Sequence, residues 1–254
     1  MHSGDQMPTS RLAARAALDL PPVYRLVTLR EVGDAFAHAV AIASREGAGT
    51  LVYVGRFDLA EFAVVLEPDE PLRRARCAFY AGCNALADAL AVYAPPEKPI
   101  AFAWPDAIHV DGGLVGGTRL AWPVGAAEDR PADWLVFGGM IRTVALGEDE
   151  AGLNPLAAAL DAEGFSDAGS GRLVESFARH LMVAVDAWRE HGFPHLARQY
   201  LLRLAPEKGV RREIDDNGDL LVRGAGGQEI ERRALVPALA APSWLDPQTE
   251  GPRR

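Results

Sequence analysis

Lysine is almost missing from this chain. Lys98 and Lys208 are the only two in 254 residues, against 24 arginines. Neither lies in a Gly-Lys-[Ser/Thr] phosphate loop, and no Gly-x-Ser-x-Gly elbow is present, so P-loop and serine-hydrolase readings lack their starting residues. Cysteine is as scarce. Cys77 and Cys83 fall six apart on a helix-like segment, hence on different faces, and read as buried small side chains rather than as a disulfide or metal pair. No apolar run approaches the roughly 20 residues of a membrane span. The first residues, Met-His-Ser-Gly-Asp-Gln-Met-Pro, lack the charged and apolar regions of a secretory signal. A cytoplasmic protein without a membrane partner is therefore expected. Basic excess is missing too: a net charge of −9 argues against a general nucleic-acid surface, which requires clustered Lys and Arg.

What remains has the composition of a globular protein, 49% hydrophobic and 24% charged. The length suits one large domain with a small appendage. Residues 1–23 read as a tail and 24–205 as the core. Pro206-Glu-Lys-Gly209 marks a boundary, and 206–254 form a small β domain ending in a Pro-rich tail. From Glu31 to Arg45, Val32, Phe36, Ala39, Val40 and Ala43 recur at helical spacing, with Gly47 as the stop. Strands Thr50–Val54 and Glu61–Leu66 follow, then a helix from Pro71 to about Tyr93, ended by Pro95-Pro96. After an acidic loop the pattern predicts a strand over Trp134–Leu146. Asn154-Pro155 reads as the cap of a short helix to Leu160. Helix Arg172–Glu190 carries Leu173, Phe177, Leu181, Val185 and Trp188 on one face and closes at Gly192, before a helix over Pro194–Leu204. Val210–Ile214 and Leu220–Arg223 flank the turn Asp-Asp-Asn-Gly, and Glu229–Val236 completes the β unit. Strands interleaved with helices, then a short all-β segment, make an α+β core with an SH3-like appendage.

One passage reads as a site: Trp104-Pro-Asp-Ala-Ile-His-Val-Asp-Gly-Gly-Leu-Val-Gly-Gly117. Apolar runs on either side of Asp111-Gly112 signal a hairpin. Gly116 and Gly117 inside the next strand mark either a plain bulge or close approach of a ligand or another backbone. Strand alternation sets Leu114 with Gly116 and Thr118 on one face and Arg119 on the other. His109 reads first as an edge-strand histidine and second as a pocket residue. Asp215 to Asp219 misses the Gly and Glu of a calcium loop and reads as a turn. His191 and His195 have zinc-like spacing, but Gly192 and Pro194 break the helix between them.

This passage resembles the signature of the biotin/lipoate protein ligase superfamily, whose Trp-Pro-Asn-Asp segment and following hairpin wall the pocket for an acyl group and its adenylate. Val32-Gly-Asp34 begins a helix where that family has Ser-Thr-Asn. Val136-Phe-Gly-Gly-Met-Ile141 resembles its Gly-x-Gly-Ile-Asn strand, and Arg211 to Arg232 its small β domain, so the resemblance runs in order from about Tyr24 to Leu235. It implies a biotin/lipoate ligase-like core sheet packed with helices. It also implies activation of biotin, lipoate or a medium-chain acid by ATP with Mg, and transfer to a lysine of a biotinyl or lipoyl carrier domain. By this likeness Asp34, Arg56, Trp104, Pro105, Asp106, Leu114, Gly116, Gly117 and Arg142 are ligand-binding positions, and no room is left before Tyr24 for the DNA-binding domain that some relatives carry.

Three departures bear on activity. Leu114 stands where the family lysine contacts the adenylate. Gly55-Arg56-Phe57-Asp58 replaces a Gly/Arg-rich phosphate loop, leaving Arg56 as the phosphate-side cation. Arg142 replaces the Asn after Gly-Ile. Lys98 lies six residues before Trp104, about 20 Å along an extended strand. Lys208 reaches the site only if the last domain folds over it. Developing negative charge in acyl transfer needs preorganised donors. Three readings stay open: an active ligase, a transferase taking its acyl group from another carrier, and a non-catalytic descendant that binds an acyl ligand or a carrier domain.

Overall fold

The computed structural model describes residues 18–31, 33–145, 156–224, 226 and 230–253. Its centre is a seven-stranded sheet built from β1 (Arg25–Leu29), β2 (Thr50–Gly55), β3 (Leu59–Leu66), β4 (Ile100–Ala103), β5 (Ala107–Val110), β6 (Gly113–Ala121) and β7 (Leu135–Arg142), in the order β1-β2-β3-β7-β6-β5-β4. All pairings are antiparallel except β1 with β2. β2, β3 and β7 are buried almost throughout because helices cover both faces, which is why they read as continuous apolar runs rather than as alternating patterns. β1 was not apparent in the sequence: its parallel register with β2 needs the crossover helix α1 (Ala35–Glu46), a long-range event that a five-residue strand does not announce.

α1 lies on one face. It starts where the Asp34 side chain accepts the Ala37 N–H at 2.8 Å, later than the apolar spacing from Glu31 suggests; Val32 is outside the described residues. Gly47 ends it with φ of +75°, its N–H returning to the Ala43 carbonyl. The other face carries α2 (Leu72–Ala75), α3 (Ala78–Ala91), α4 (Ser170–His191) and α5 (Phe193–Arg203). The single helix expected over Pro71–Tyr93 is split. Around Arg76 the backbone tightens to i→i+3 bonds (Cys77 N–H to Arg74 O, Phe79 N–H to Arg76 O), turning the buried Arg76 toward Glu128 and the Trp122 ring. α4 lays Leu173, Phe177 and Leu181 on the sheet; Phe177 meets Phe62 at 4.3 Å and Phe137 at 5.7 Å between ring centroids. Gly82 of α3 lets the Phe137 ring in, since a Cβ there would stand 2.3 Å from it.

Of the helix expected from Asn154-Pro155 to Leu160, the first two residues are outside the described set and 156–160 are not helical. Instead Leu114 donates its N–H to the Leu156 carbonyl and accepts from Ala158, because β6 runs past the end of β7 there and its backbone groups need partners. The strand expected to reach Leu146 stops at Arg142.

The chain finishes with a three-stranded antiparallel sheet of β8 (Val210–Ile214), β9 (Leu220–Gly224) and β10 (Ile230–Arg233), a short helix α6 (Leu235–Leu239), and a small hairpin of β11 (Leu245–Asp246) and β12 (Gly251–Pro252). Asp215 closes the β8–β9 turn by accepting from the Asn217 and Asp219 N–H groups. Tyr80 Oη of α3 donates to the Gly218 carbonyl at 2.6 Å, fastening this sheet to the core. The Pro-rich tail is a correction to the sequence reading. Residues 243–253 are folded against the central sheet on the α1 face, and Trp244 is 1% exposed. Among the described residues no helix is long and apolar enough to cross a membrane.

Candidate functional site

The α1 face of the sheet carries a cross-strand row of small side chains. Register places Glu61 beside Met140, Met140 beside Gly117, Gly117 beside Ala107 and Ala107 beside Ala103. Gly117, Ala107 and Ala103 make a trough, since none extends beyond a Cβ. A bulge decides which residues face it. β5 pairs Ile108 with Gly116 and His109 with Leu114, so Val115 has no opposite number and the alternation of β6 shifts by one. Leu114, Gly117 and Arg119 therefore share the α1 face. Thr118 points the other way, its hydroxyl 3.3 Å from Cys83 Sγ on α3. This corrects the arrangement expected from strand alternation, Leu114 with Gly116 and Thr118 opposite Arg119, because simple alternation assumes no bulge. Gly116 has φ of +156°, and a Cβ there would sit 1.9 Å from the Met140 carbonyl oxygen.

What approaches Gly117 is the chain itself. A Cβ on Gly117 would lie 2.3 Å from Trp244 Cδ1 and 2.3 Å from the Asp106 carbonyl oxygen. The Trp244 ring rests in the trough against Leu59, Ala107 and Met140, with Leu114 and Ala103 packed beside it. Its Nε1–H donates to the Thr118 carbonyl at 3.1 Å. Next to it, Ser243 donates its N–H and its hydroxyl to the two Asp106 carboxylate oxygens at 3.1 and 2.7 Å. Asp106 is 2% exposed, and burial outweighs these two donors, pushing its carboxyl up to about 6. Trp104 and Pro105, joined by a cis peptide, turn away toward α3 and α5: Trp104 Nε1–H donates to Tyr80 Oη, and Tyr200 Oη donates to the Pro105 carbonyl. The Trp-Pro-Asp segment thus splits its residues between the two faces.

The site's arginines are all engaged. Arg142 donates to the Ala158 carbonyl at 3.1 Å, to Pro252 at 2.7 Å and to Arg253 at 3.3 Å, holding the far end of the C-terminal segment. Arg56 makes a two-pronged pair with Asp58, which lowers that carboxyl through the hydrogen bonds themselves and raises the guanidinium. Arg119 reaches Asp34 at 3.4 Å and lies over the Phe36 ring, 4.3 Å from its centroid. Glu61, 4% exposed, accepts the Ala35 N–H at 2.8 Å; burial pushes its carboxyl up despite that bond. Asp34, Arg119, Glu61 and Phe36 thus form one cluster at the start of α1, beside the trough.

The structure brings Asp34, Asp106, Leu114, Gly117 and Arg142 to one face of the sheet, and places Trp104 on the other. Lys98 is committed elsewhere, pairing with Asp111 at 2.6 Å and Glu163 at 2.9 Å. Sequence reasoning missed Ser243, Trp244 and Glu61. The available signal was a tryptophan in the middle of Ala-Pro-Ser-Trp-Leu-Asp-Pro: a large apolar side chain seldom left to solvent in so polar a segment. A separate cavity of about 750 Å³, lined among others by Tyr24, Glu67, Leu181, Val185 and Trp188, opens beside α4 and includes none of these residues.

A seven-stranded mixed sheet covered by helices on both faces and followed by a small β unit defines an α+β core. The family model of the biotin/lipoate A/B protein ligase family matches residues 20–202. The chain belongs to that family. Among solved structures it is similar to a biotin protein ligase-like protein of unknown function from Silicibacter sp. TM1040, at 26% identity and a TM-score of 0.74, over 86% of this chain and 97% of that one. It also shares the fold of the biotin protein ligase from Aquifex aeolicus, at 15% identity and a TM-score of 0.62, over 83% and 95% of the two chains. A third likeness is to the Leishmania major biotin protein ligase in complex with biotinyl-5-AMP, at 16% identity and a TM-score of 0.54, over 84% and 99%. No curated protein sequence matches.

Proposed function

We propose that this protein binds a carboxylic acyl ligand on the ligase fold and does not activate it with ATP. The supporting observation is the commitment of Arg56, Arg119 and Arg142, each of which already holds a partner. Arg56 is paired with Asp58, Arg119 with Asp34 and Phe36, and Arg142 with three backbone carbonyls. Adenylation develops charge on a carboxylate and a phosphate, and its stabilisation requires donors already aimed at those atoms. Leu114 offers only apolar contact, and redirecting a guanidinium means breaking charge-assisted bonds first.

The carboxylate ligand enters this reading from the family: the related ligases from Aquifex aeolicus and Leishmania major are seen with biotin, with biotin and ATP, and with biotinyl-5-AMP. Small apolar residues on the trough floor suit an aliphatic or ring-bearing acid. The test is incubation with ATP and Mg and, in turn, biotin, lipoate or octanoate, followed by native mass spectrometry. The acid bound intact, without pyrophosphate release, is expected. An acyl-adenylate formed at ordinary enzyme rates would refute the reading and restore the active ligase. Leu114→Lys, at a side chain packed beside the trough, is expected to strengthen binding of a non-hydrolysable acyl-adenylate analogue.

A further inference from the structure

The C-terminal segment that fills the trough is held by few attachments, and their chemistry says what would displace it. Between Ser243 and Arg253, only Trp244 and Pro252 are buried; the tip from Pro247 to Glu250 is exposed. The segment hangs from α6, itself anchored by Leu235 and Leu239, through an Ala240-Ala241 link that is also exposed. Its two strands contribute two residues each, and the Arg253 N–H returns to the Trp244 carbonyl to close the hairpin on itself. Its pairing is internal, so displacing it about that link would unravel no strand of the central sheet.

Among the described residues, the hydrogen bonds that tie this segment to the central sheet go to Asp106, to Arg142 and to the Thr118 carbonyl beside Gly117. Ser243 holds Asp106, Trp244 covers Gly117 and donates to Thr118 O, and Pro252 and Arg253 occupy Arg142. Arg142 holds this segment through neutral carbonyl oxygens, whereas a guanidinium binds a carboxylate through charge-assisted, frequently two-pronged bonds. Lifting the segment uncovers an apolar floor (Leu59, Ala107, Met140) with that guanidinium at its rim.

We propose that residues 243–253 are a releasable latch over a site for an apolar carboxylate: Trp244 takes the place of the ligand's body, and Arg142 exchanges the latch's carbonyls for the ligand's carboxylate. This rests on the ligand-binding reading above and adds how that site opens.

The experiment is hydrogen–deuterium exchange on the full chain with and without octanoate, beside calorimetric titration of wild type, Trp244→Ala and Ser243→Ala. Octanoate is expected to accelerate exchange across 243–253 at least tenfold while leaving β6 and β7 protected. Ser243→Ala, which keeps the ring and loses one hook, is expected to bind octanoate several-fold more tightly than wild type. Trp244→Ala is expected to bind tenfold or more tightly, and Arg142→Gln in either background loses that gain. If wild type and both variants bind octanoate equally and the latch stays protected, the latch is refuted and the binding reading stands. If no form binds octanoate, biotin or lipoate although the latch opens in exchange, the ligand reading fails and takes the site beneath the latch with it. Should Trp244→Ala not fold, the exchange result and Ser243→Ala decide between these outcomes.

Discussion

Adding one methyl group at Gly117 is the sharpest test of how the trough is built. A Cβ there would meet Trp244 Cδ1 and Nε1 at 2.3 and 2.4 Å and the Asp106 carbonyl oxygen at 2.3 Å. Ordinary contact lies about 1 Å further out, so both neighbours must retreat. The Asp106 carbonyl accepts the Thr118 N–H at 2.9 Å and the Trp244 indole donates to Thr118 O at 3.1 Å, so each retreat stretches a hydrogen bond. Overpacking typically costs about 1–3 kcal/mol and one lost hydrogen bond about 1 kcal/mol more. Gly117→Ala should therefore destabilise by roughly 2–4 kcal/mol, and at about 2–4 °C per kcal/mol for a chain of this size the midpoint should fall by about 10 °C. Thermal unfolding followed by circular dichroism measures it. Gly112→Ala is the control: nothing lies within 4 Å of its Cβ, and only its positive φ of +86° opposes a side chain, so about 1 kcal/mol is expected. The double variant Gly117→Ala/Trp244→Ala should show a coupling of at least 0.5 kcal/mol, as for residues in contact. A Gly117→Ala midpoint within 2 °C of wild type would refute the claim that the chain's own tryptophan, rather than empty space, borders this glycine.

Three further outcomes follow from buried groups. Asp106 has its carboxyl raised from 3.8 to about 6, so the folded state holds a proton that the unfolded chain gives up; the stability contributed is full below about pH 4 and lost as pH rises through 6. Denaturant titrations should show the stability difference between wild type and Asp106→Asn changing by on the order of 3 kcal/mol across that window, and a difference independent of pH would count against it. For Glu61, burial raises the carboxyl while its oxygen caps Ala35 N–H, so Glu61→Gln should cost nothing or stabilise at pH 7. Glu61→Ala should cost about 1–3 kcal/mol by orphaning that donor; equal stabilities for the two variants would contradict the capping role. Cys77 and Cys83 are buried, and burial pushes both thiols up, so iodoacetamide should label neither in the native protein and both after unfolding. Labelling of Cys83 under native conditions would mean that α3 does not stay seated on β6.

Elements whose burial is written in local periodicity were legible in the amino-acid sequence. The apolar stripe Leu173-Phe177-Leu181 specified α4, the runs Thr50–Val54 and Glu61–Leu66 specified central strands, and Asp-Asn-Gly specified the β8–β9 turn, because each depends on residues within a few positions of one another. Asp-Gly likewise declared the hairpin after β5, while the Gly-Gly pair left open a plain bulge or a close backbone approach, and the structure has both, a bulge at Val115 and the crowding of Gly117. What approaches was beyond the sequence. Gly117 reads identically whether a ligand or Trp244 lies against it, and 126 residues separate Trp244 from the Thr118 carbonyl that it caps. Which face Leu114 takes depended on a single unpaired residue, Val115, whose position is set by pairing with β5 and not by its neighbours in sequence. Arg56, Arg119 and Arg142 likewise look available as a list of cations. That each already holds a carboxylate, a ring or a carbonyl follows from long-range folding, because a charge-assisted bond forms with whatever the fold brings within about 3 Å.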